Sequence, residues 1–156
     1  MRLAFRIKHH FFSAFRELFV HHHGSLEFRA KIFALVIAAN DNAKVDNYVI
    51  VKDIGLNIYN GDEDRSNLLM LTTKEMVRKV IDDNGLSLDS LINSIQKEVK
   101  IIPRYAKKID TKALRPILTQ THDEDTLHYQ ENILNFLQSL KDETLQKKKI
   151  NTISVK

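Results

Sequence analysis

Apolar residues recur along most of this chain at the three- and four-residue spacing of an α-helix. The densest segment runs from Leu26 to Ala39 and is apolar on nearly all sides, so we expect a buried central helix there. The later segments have one apolar and one polar face, and they predict amphipathic helices over about 48–59, 73–81, 89–101, 110–118 and 126–141. No segment favours a β-strand. The pattern predicts an all-α fold, a compact bundle of six to eight helices.

Short polar segments mark the ends of these predicted helices. Asn60-Gly61 is a good C-cap pair, and Asp83-Asn84-Gly85 is a strong stop and turn signal. We interpret residues 62–65 as a solvated charged segment. Thr72 or Thr73 is then the expected N-cap of the helix that follows.

The first residues carry a pattern of their own. Residues 2–20 predict a cationic amphipathic helix with a Phe-rich apolar stripe. Three roles stay open for it: packing on the domain or on a second subunit, lying on a membrane surface, or acting as an organelle import sequence. We assign residues 1–24 to this helix, 25–142 to the helical domain and 143–156 to a frayed basic tail.

Composition supports a helical protein and excludes several classes. Only four Gly and two Pro are present, which is few for the many turns of a β-sandwich. Cysteine is absent, so disulfide scaffolds, thiolate metal sites and cysteine nucleophiles are excluded. The net charge of +4 comes from residues 1–31, which hold six Lys or Arg and two Glu. Because the rest of the chain is neutral, we expect no nucleic-acid partner.

A helix–acidic turn–helix segment occurs twice. The first copy spans residues 35–45 and the second spans 117–127, and in each an apolar helix leads into a polar turn that carries Asp. We expect an internal duplication that places the two turns side by side. Their acidic groups can cap the following helices or hold a hard divalent cation. The candidate metal ligands are Asp41, Asp46, Asp123, Asp125 and Glu131, with Asn42 and Glu124 beside them, and the candidate ions are Ca²⁺, Mg²⁺ and Zn²⁺.

At these turns the sequence resembles the TerB-like family (tellurite resistance TerB and the DjlA N-terminal domain). The resemblance covers about residues 26–142 and rests on Ala38-Ala39-Asn40-Asp41-Asn42 and on His122-Asp123 leading into Gln130-Glu131. It implies an all-helical domain whose duplicated acidic turns can hold a divalent cation, in bacterial proteins of the stress response that are often tied to the membrane. Asn42 and Glu124 stand where the family usually has Gly.

No motif of a common enzyme class is found. The chain has no phosphate loop, no Gly-x-Ser-x-Gly elbow and no His-Glu-x-x-His. We therefore expect a non-enzymatic helical module that binds a protein partner or forms a homodimer. We also expect it in the cytoplasm. The membrane-surface role, one of the three open for residues 2–20, would attach it peripherally to the inner membrane. The alternative is a metal-dependent phosphohydrolase of the His-Asp type, suggested by His122-Asp123.

Overall fold

A computed structural model describes residues 24–154, and the predicted helix over residues 2–20 lies outside them. The described chain folds into six α-helices and one short 3₁₀ helix. They are α1 (Gly24–Ala38), α2 (Val45–Ile58), α3 (Glu63–Ile81), α4 (Leu88–Ile101), the 3₁₀ helix (Pro103–Lys108), α5 (Thr111–Leu118) and α6 (Glu124–Ser154). No strand occurs in this part of the protein, so the prediction of an all-α bundle is confirmed.

Helix α1 is the centre of the bundle, as its apolar sequence predicts. Phe28, Leu35 and Ile37 on it are fully buried. The helix contacts α3, α4, α5, α6 and the 3₁₀ helix, which leaves it almost no face in solvent. Burying one such side chain stabilises the fold by about 1.5–3 kcal/mol, so α1 is the largest single contributor to the core.

The end of α2 lies where its sequence predicts. Asn60 adopts the left-handed conformation with φ of 54°, and Gly61 follows with φ of 85°. The backbone N–H of Gly61 then donates to the carbonyl of Leu56 at 2.8 Å, which satisfies one of the free carbonyls at the helix end. Asp83, with φ of 51°, takes the same position after α3.

The start of α3 differs from the prediction. Residues 62–65 are the beginning of this helix rather than a loop, because Asp62 is its N-cap and accepts from the backbone N–H of Arg65 at 3.1 Å. Acidic residues in a first turn also interact favourably with the positive end of the helix dipole. Thr72 and Thr73, predicted as caps, are buried in the middle of the helix.

The last helix is also longer than predicted. It was expected to end near Lys141 and give way to a frayed tail, but α6 continues to Ser154. Leu140 and Leu145 are partly buried against the core, and neither Gly nor Pro follows to stop the helix. Neither α6 nor any other helix within residues 24–154 has an apolar stretch long enough to span a membrane.

The two helix–turn–helix segments are not packed alike. Helices α5 and α6 pack against each other, whereas α1 and α2 make little direct contact and both pack on α3 instead. An ancestral duplication therefore stays a prediction from the sequence.

Candidate functional site

The two acidic turns adjoin in the structure. The side-chain amide of Asn40, in the first turn, donates to the hydroxyl of Thr121, in the second turn, at 3.3 Å. Both residues are nearly buried, with exposed fractions of 8% and 9%. The prediction that the two turns lie side by side is therefore confirmed.

A buried chain of hydrogen bonds holds this junction together. The hydroxyl of Thr121 donates to the side-chain carbonyl of Gln130 at 2.7 Å, and the Gln130 amide donates to the backbone carbonyl of Val36 at 3.0 Å. That carbonyl belongs to the last turn of α1, where helix carbonyls lack partners within the helix. On the other side, Asn40 Oδ1 accepts from the backbone N–H of Asn42 at 3.0 Å. The contact between the turns is made by amides and hydroxyls.

The carboxylates of the turns do not converge. All five predicted metal ligands lie in solvent, namely Asp41, Asp46, Asp123, Asp125 and Glu131. Within residues 24–154 no group of three His, Asp or Glu side chains is arranged to hold a metal ion. Because neutral polar groups occupy the buried junction, the acidic side chains stay outside it. The turns were predicted to adjoin and do so, but the described chain does not assemble the predicted cation ligands.

Asp123 instead caps α6. Its Oδ2 accepts from the hydroxyl of Thr126 at 2.7 Å and from the backbone N–H of Thr126 at 3.1 Å. These two hydrogen bonds, the hydroxyl bond first, lower the pKa of Asp123 below its ordinary value. In the other turn the N-cap position of α2 is Lys44, which makes no side-chain capping bond. The two turns are therefore chemically different.

The first turns of α6 carry the remaining acidic candidates. Glu124, Asp125, His128 and Glu131 line a shallow depression of about 380 Å³. His122, which suggested the His-Asp alternative, is exposed beside the capping Asp123. A His-Asp phosphohydrolase needs several such ligands around one metal ion. No such group exists in the part of the chain that the structure describes.

A groove that the sequence did not predict runs along the end of α6. It encloses about 910 Å³ between α4, the start of the 3₁₀ helix and the last turns of α6. Most of its lining surface is apolar. Val99, Pro103 and Leu140 contribute to it, and three lysines also line the groove. The sequence does not predict the groove, because the pattern of residues 143–156 predicts a frayed tail rather than a helix wall. Two features of the sequence could have predicted the longer helix. Leu140, Thr144 and Leu145 recur at helix spacing, and no Gly or Pro follows them to end the helix.

Comparison with known proteins adds no assignment. No family model matches the chain, and neither a curated protein nor a solved structure gives a significant match to it. The resemblance to the TerB-like family stays a prediction from the sequence.

Proposed function

We propose that this protein is a non-enzymatic binding module whose groove between α4 and α6 holds an acidic amphipathic helix of a partner protein. One observation carries the proposal: the last helix runs on beyond Lys141 and forms one wall of a groove whose lining surface is mostly apolar. A groove of this kind suits the apolar face of a helix. The size of the groove is also within the range of ordinary binding sites.

The charges at the groove favour an acidic partner. Lys100, Lys147 and Lys148 line it, against a single acid, Glu143. Opposite charges around an apolar contact mainly raise the association rate and select the partner. A helix with an apolar stripe flanked by Glu or Asp therefore meets both features of the groove.

The same charges disfavour the chain's own first residues as the occupant. Residues 2–20 contain four Arg or Lys and one Glu. Their predicted helix would bring positive charge against the lysines of the groove, which costs free energy. The attachment role of residues 2–20 is thus separate from the groove in this proposal.

A peptide pair tests the proposal directly. The probe is a labelled helical peptide of about 20 residues, with Leu at helix spacing and Glu on the flanks, and the control peptide has Lys in place of Glu. Fluorescence anisotropy with the full chain should show binding of the acidic peptide that weakens as salt is added. The basic peptide should bind at least about tenfold more weakly.

Charge reversal on the protein gives the matched control. Lys147→Glu with Lys148→Glu should weaken binding of the acidic peptide by about tenfold or more. Lys97→Glu with Lys149→Glu changes the net charge equally at two exposed residues that do not line the groove, and should leave binding nearly unchanged. Equal loss in both variants would show non-specific attraction and would overturn the proposal. Competition by a peptide of residues 2–20 would overturn the choice of occupant.

The family resemblance and the predicted location complete this proposal. A TerB-like role in a bacterial stress response fits an all-α module that carries no common catalytic motif. We further propose a cytoplasmic protein that reaches the membrane surface through residues 2–20, on the basis of their cationic, Phe-rich pattern. Co-sedimentation with anionic liposomes measures this membrane binding. The full chain is compared with a variant whose apolar stripe is interrupted by Phe11→Ser and Phe15→Ser. Equal binding by both proteins would remove the membrane role.

A further inference from the structure

A second pocket lies on another side of the molecule, where four elements meet. It encloses about 540 Å³ between α1, α2, the 3₁₀ helix and α5. Its walls are apolar side chains, mainly Ile32, Phe33, Ile54, Ile58 and Leu114. This volume is typical of sites for small molecules, and such sites combine apolar walls with a few polar groups.

Three cations share this apolar pocket. Arg29 enters from α1, and Lys107 and Lys108 enter from the 3₁₀ helix. Within residues 24–154 none of the three forms an ion pair with a carboxylate. Asp110 also lines the pocket, but its carboxylate caps α5 by accepting from the backbone N–H of Ala113 at 3.1 Å.

The hydrogen bonding of Arg29 is incomplete among the described residues. Its Nε is buried and has no hydrogen-bond partner, although a buried polar group normally has one. Its guanidinium carbon lies 5.6 Å from the centre of the Tyr59 ring, so the group also makes a cation–π contact. An arginine in this state is a ready donor for a carboxylate or phosphate.

The positive charges around Lys108 are not neutralised by an ion pair among residues 24–154. The pKa of Lys108 is lowered, first by burial and then by the positive charges of Arg29 and Arg104. Like charges held close together in a partly buried place are unfavourable unless an anion joins them.

We propose that this pocket binds an anionic amphiphile, a molecule with a short apolar chain and a phosphate or carboxylate head, whose head pairs with Arg29 and Lys108. The apolar walls of the pocket hold the apolar chain of the ligand. Arg29 lies on α1 and Lys108 on the 3₁₀ helix, so an anion between them is contacted from both elements. This inference is independent of the groove, which lies against α4 and the end of α6 and shares no lining residue with the pocket.

Three small probes separate the two parts of the site. Octyl phosphate has both an alkyl chain and a negative charge. Octanol has only the alkyl chain, and inorganic phosphate has only the charge. Calorimetric titration of the full chain should show octyl phosphate binding at least about tenfold more tightly than either of the others. Equal affinity for octyl phosphate and inorganic phosphate would reduce the site to simple ion attraction and overturn the proposal.

Variants then place the binding at the pocket. Arg29→Gln with Lys108→Gln should weaken octyl phosphate binding by about tenfold or more. Arg115→Gln removes a charge from an exposed position of α5 outside the pocket and should change nothing. Circular dichroism without ligand should show the same helical content in the double variant as in the parent. Unchanged affinity of the folded double variant for octyl phosphate would contradict a binding role for these two residues.

Vesicle flotation distinguishes two sources of the same chemistry. The assay uses the Phe11→Ser and Phe15→Ser background, so that residues 2–20 do not attach the protein to the vesicles. Flotation with phosphatidylglycerol vesicles that is lost when Arg29→Gln and Lys108→Gln are added would identify a bilayer lipid as the ligand. Octyl phosphate binding without variant-dependent flotation would identify a free amphiphile. Each of these results supports ligand binding at the pocket and identifies where the ligand comes from.

Discussion

Gln130 reaches across the bundle and donates a hydrogen bond to the backbone carbonyl of Val36 at 3.0 Å, a contact between residues 94 positions apart. Gln130 is 1% exposed and also accepts from Thr121. One buried side chain thus joins the end of α1 to the turn before α6. The junction of the two turns depends on it more than on any of the carboxylates that the sequence brings to attention.

Replacing Gln130 by Leu keeps the size of the side chain but removes both hydrogen bonds. We expect the free energy of unfolding to fall by about 2–3 kcal/mol, because Val36 and Thr121 are left with buried unpaired groups. Urea unfolding followed by circular dichroism measures this. Asn132→Ala, an exposed change on the same helix, should stay within about 0.5 kcal/mol of the parent. A similar loss in both variants would contradict the role given to Gln130.

Thr72 and Thr73 are adjacent, equally buried residues whose hydroxyls differ in bonding. The hydroxyl of Thr72 has no hydrogen-bond partner, whereas that of Thr73 donates to the carbonyl of Leu69 at 2.7 Å. Thr72→Val should therefore raise the free energy of unfolding by about 1 kcal/mol, since it removes an unpaired polar group. Thr73→Val should lower it by about 0.5–1.5 kcal/mol. Changes of the same sign in the two variants would show that the hydroxyl bonding does not govern these sites.

Gly55 lets α2 and α3 approach closely. A Cβ atom there would lie 3.2 Å from both Cα and Cβ of Ser66 and 3.4 Å from Leu69 Cδ2. Alanine usually stabilises a helix interior relative to glycine by about 1 kcal/mol. Here the backbone of α3 would have to move, so Gly55→Ala should lower the free energy of unfolding by about 1–3 kcal/mol. The exposed change Asp53→Ala in the same helix is the control, and a stabilised Gly55→Ala protein would refute the close packing.

Asp123, at the start of α6, makes the stability of the fold depend on pH. Its pKa is lowered by the two bonds from Thr126, so the unfolded chain takes up a proton more readily than the folded one. The resulting stability is present above the ordinary carboxyl pKa of about 4 and is lost as the pH falls through the lowered value. Asp123→Asn keeps a capping oxygen but does not titrate, so its stability should fall less steeply in acid than that of the parent. Asp125→Asn should follow the parent, and a parent-like acid profile in Asp123→Asn would show that Asp123 does not contribute.

The sequence predicted the helices well where residues close together in the chain determine the position or the end of a helix. The dense apolar residues of α1 can only be accommodated in a core, and Asn60-Gly61 carries the backbone conformation that ends a helix. The start of α3 was missed because Asp62 reads equally well as a loop residue. The extent of α6 was missed because Leu140 and Leu145 become informative only once the helix has a surface to pack on.

The site shows the limit of local reasoning more clearly. The repeated Asp residues correctly indicated that two turns would adjoin, but the groups that meet there are Asn40, Thr121 and Gln130. Which side chains face inward depends on contacts between residues far apart in the chain, such as Gln130 and Val36. The cations of the second pocket come from α1 and the 3₁₀ helix, and no spacing within one segment could place them together.

The length of α6 also determines the outline of the molecule. Its 31 residues make a rod of about 46 Å at 1.5 Å per residue. A round domain of this size, with a radius of gyration of about 14 Å, is only about 36 Å across. The rod is longer than a round domain of the described residues, so residues 24–154 are elongated along α6. Solution scattering and rotational diffusion should both show this elongation.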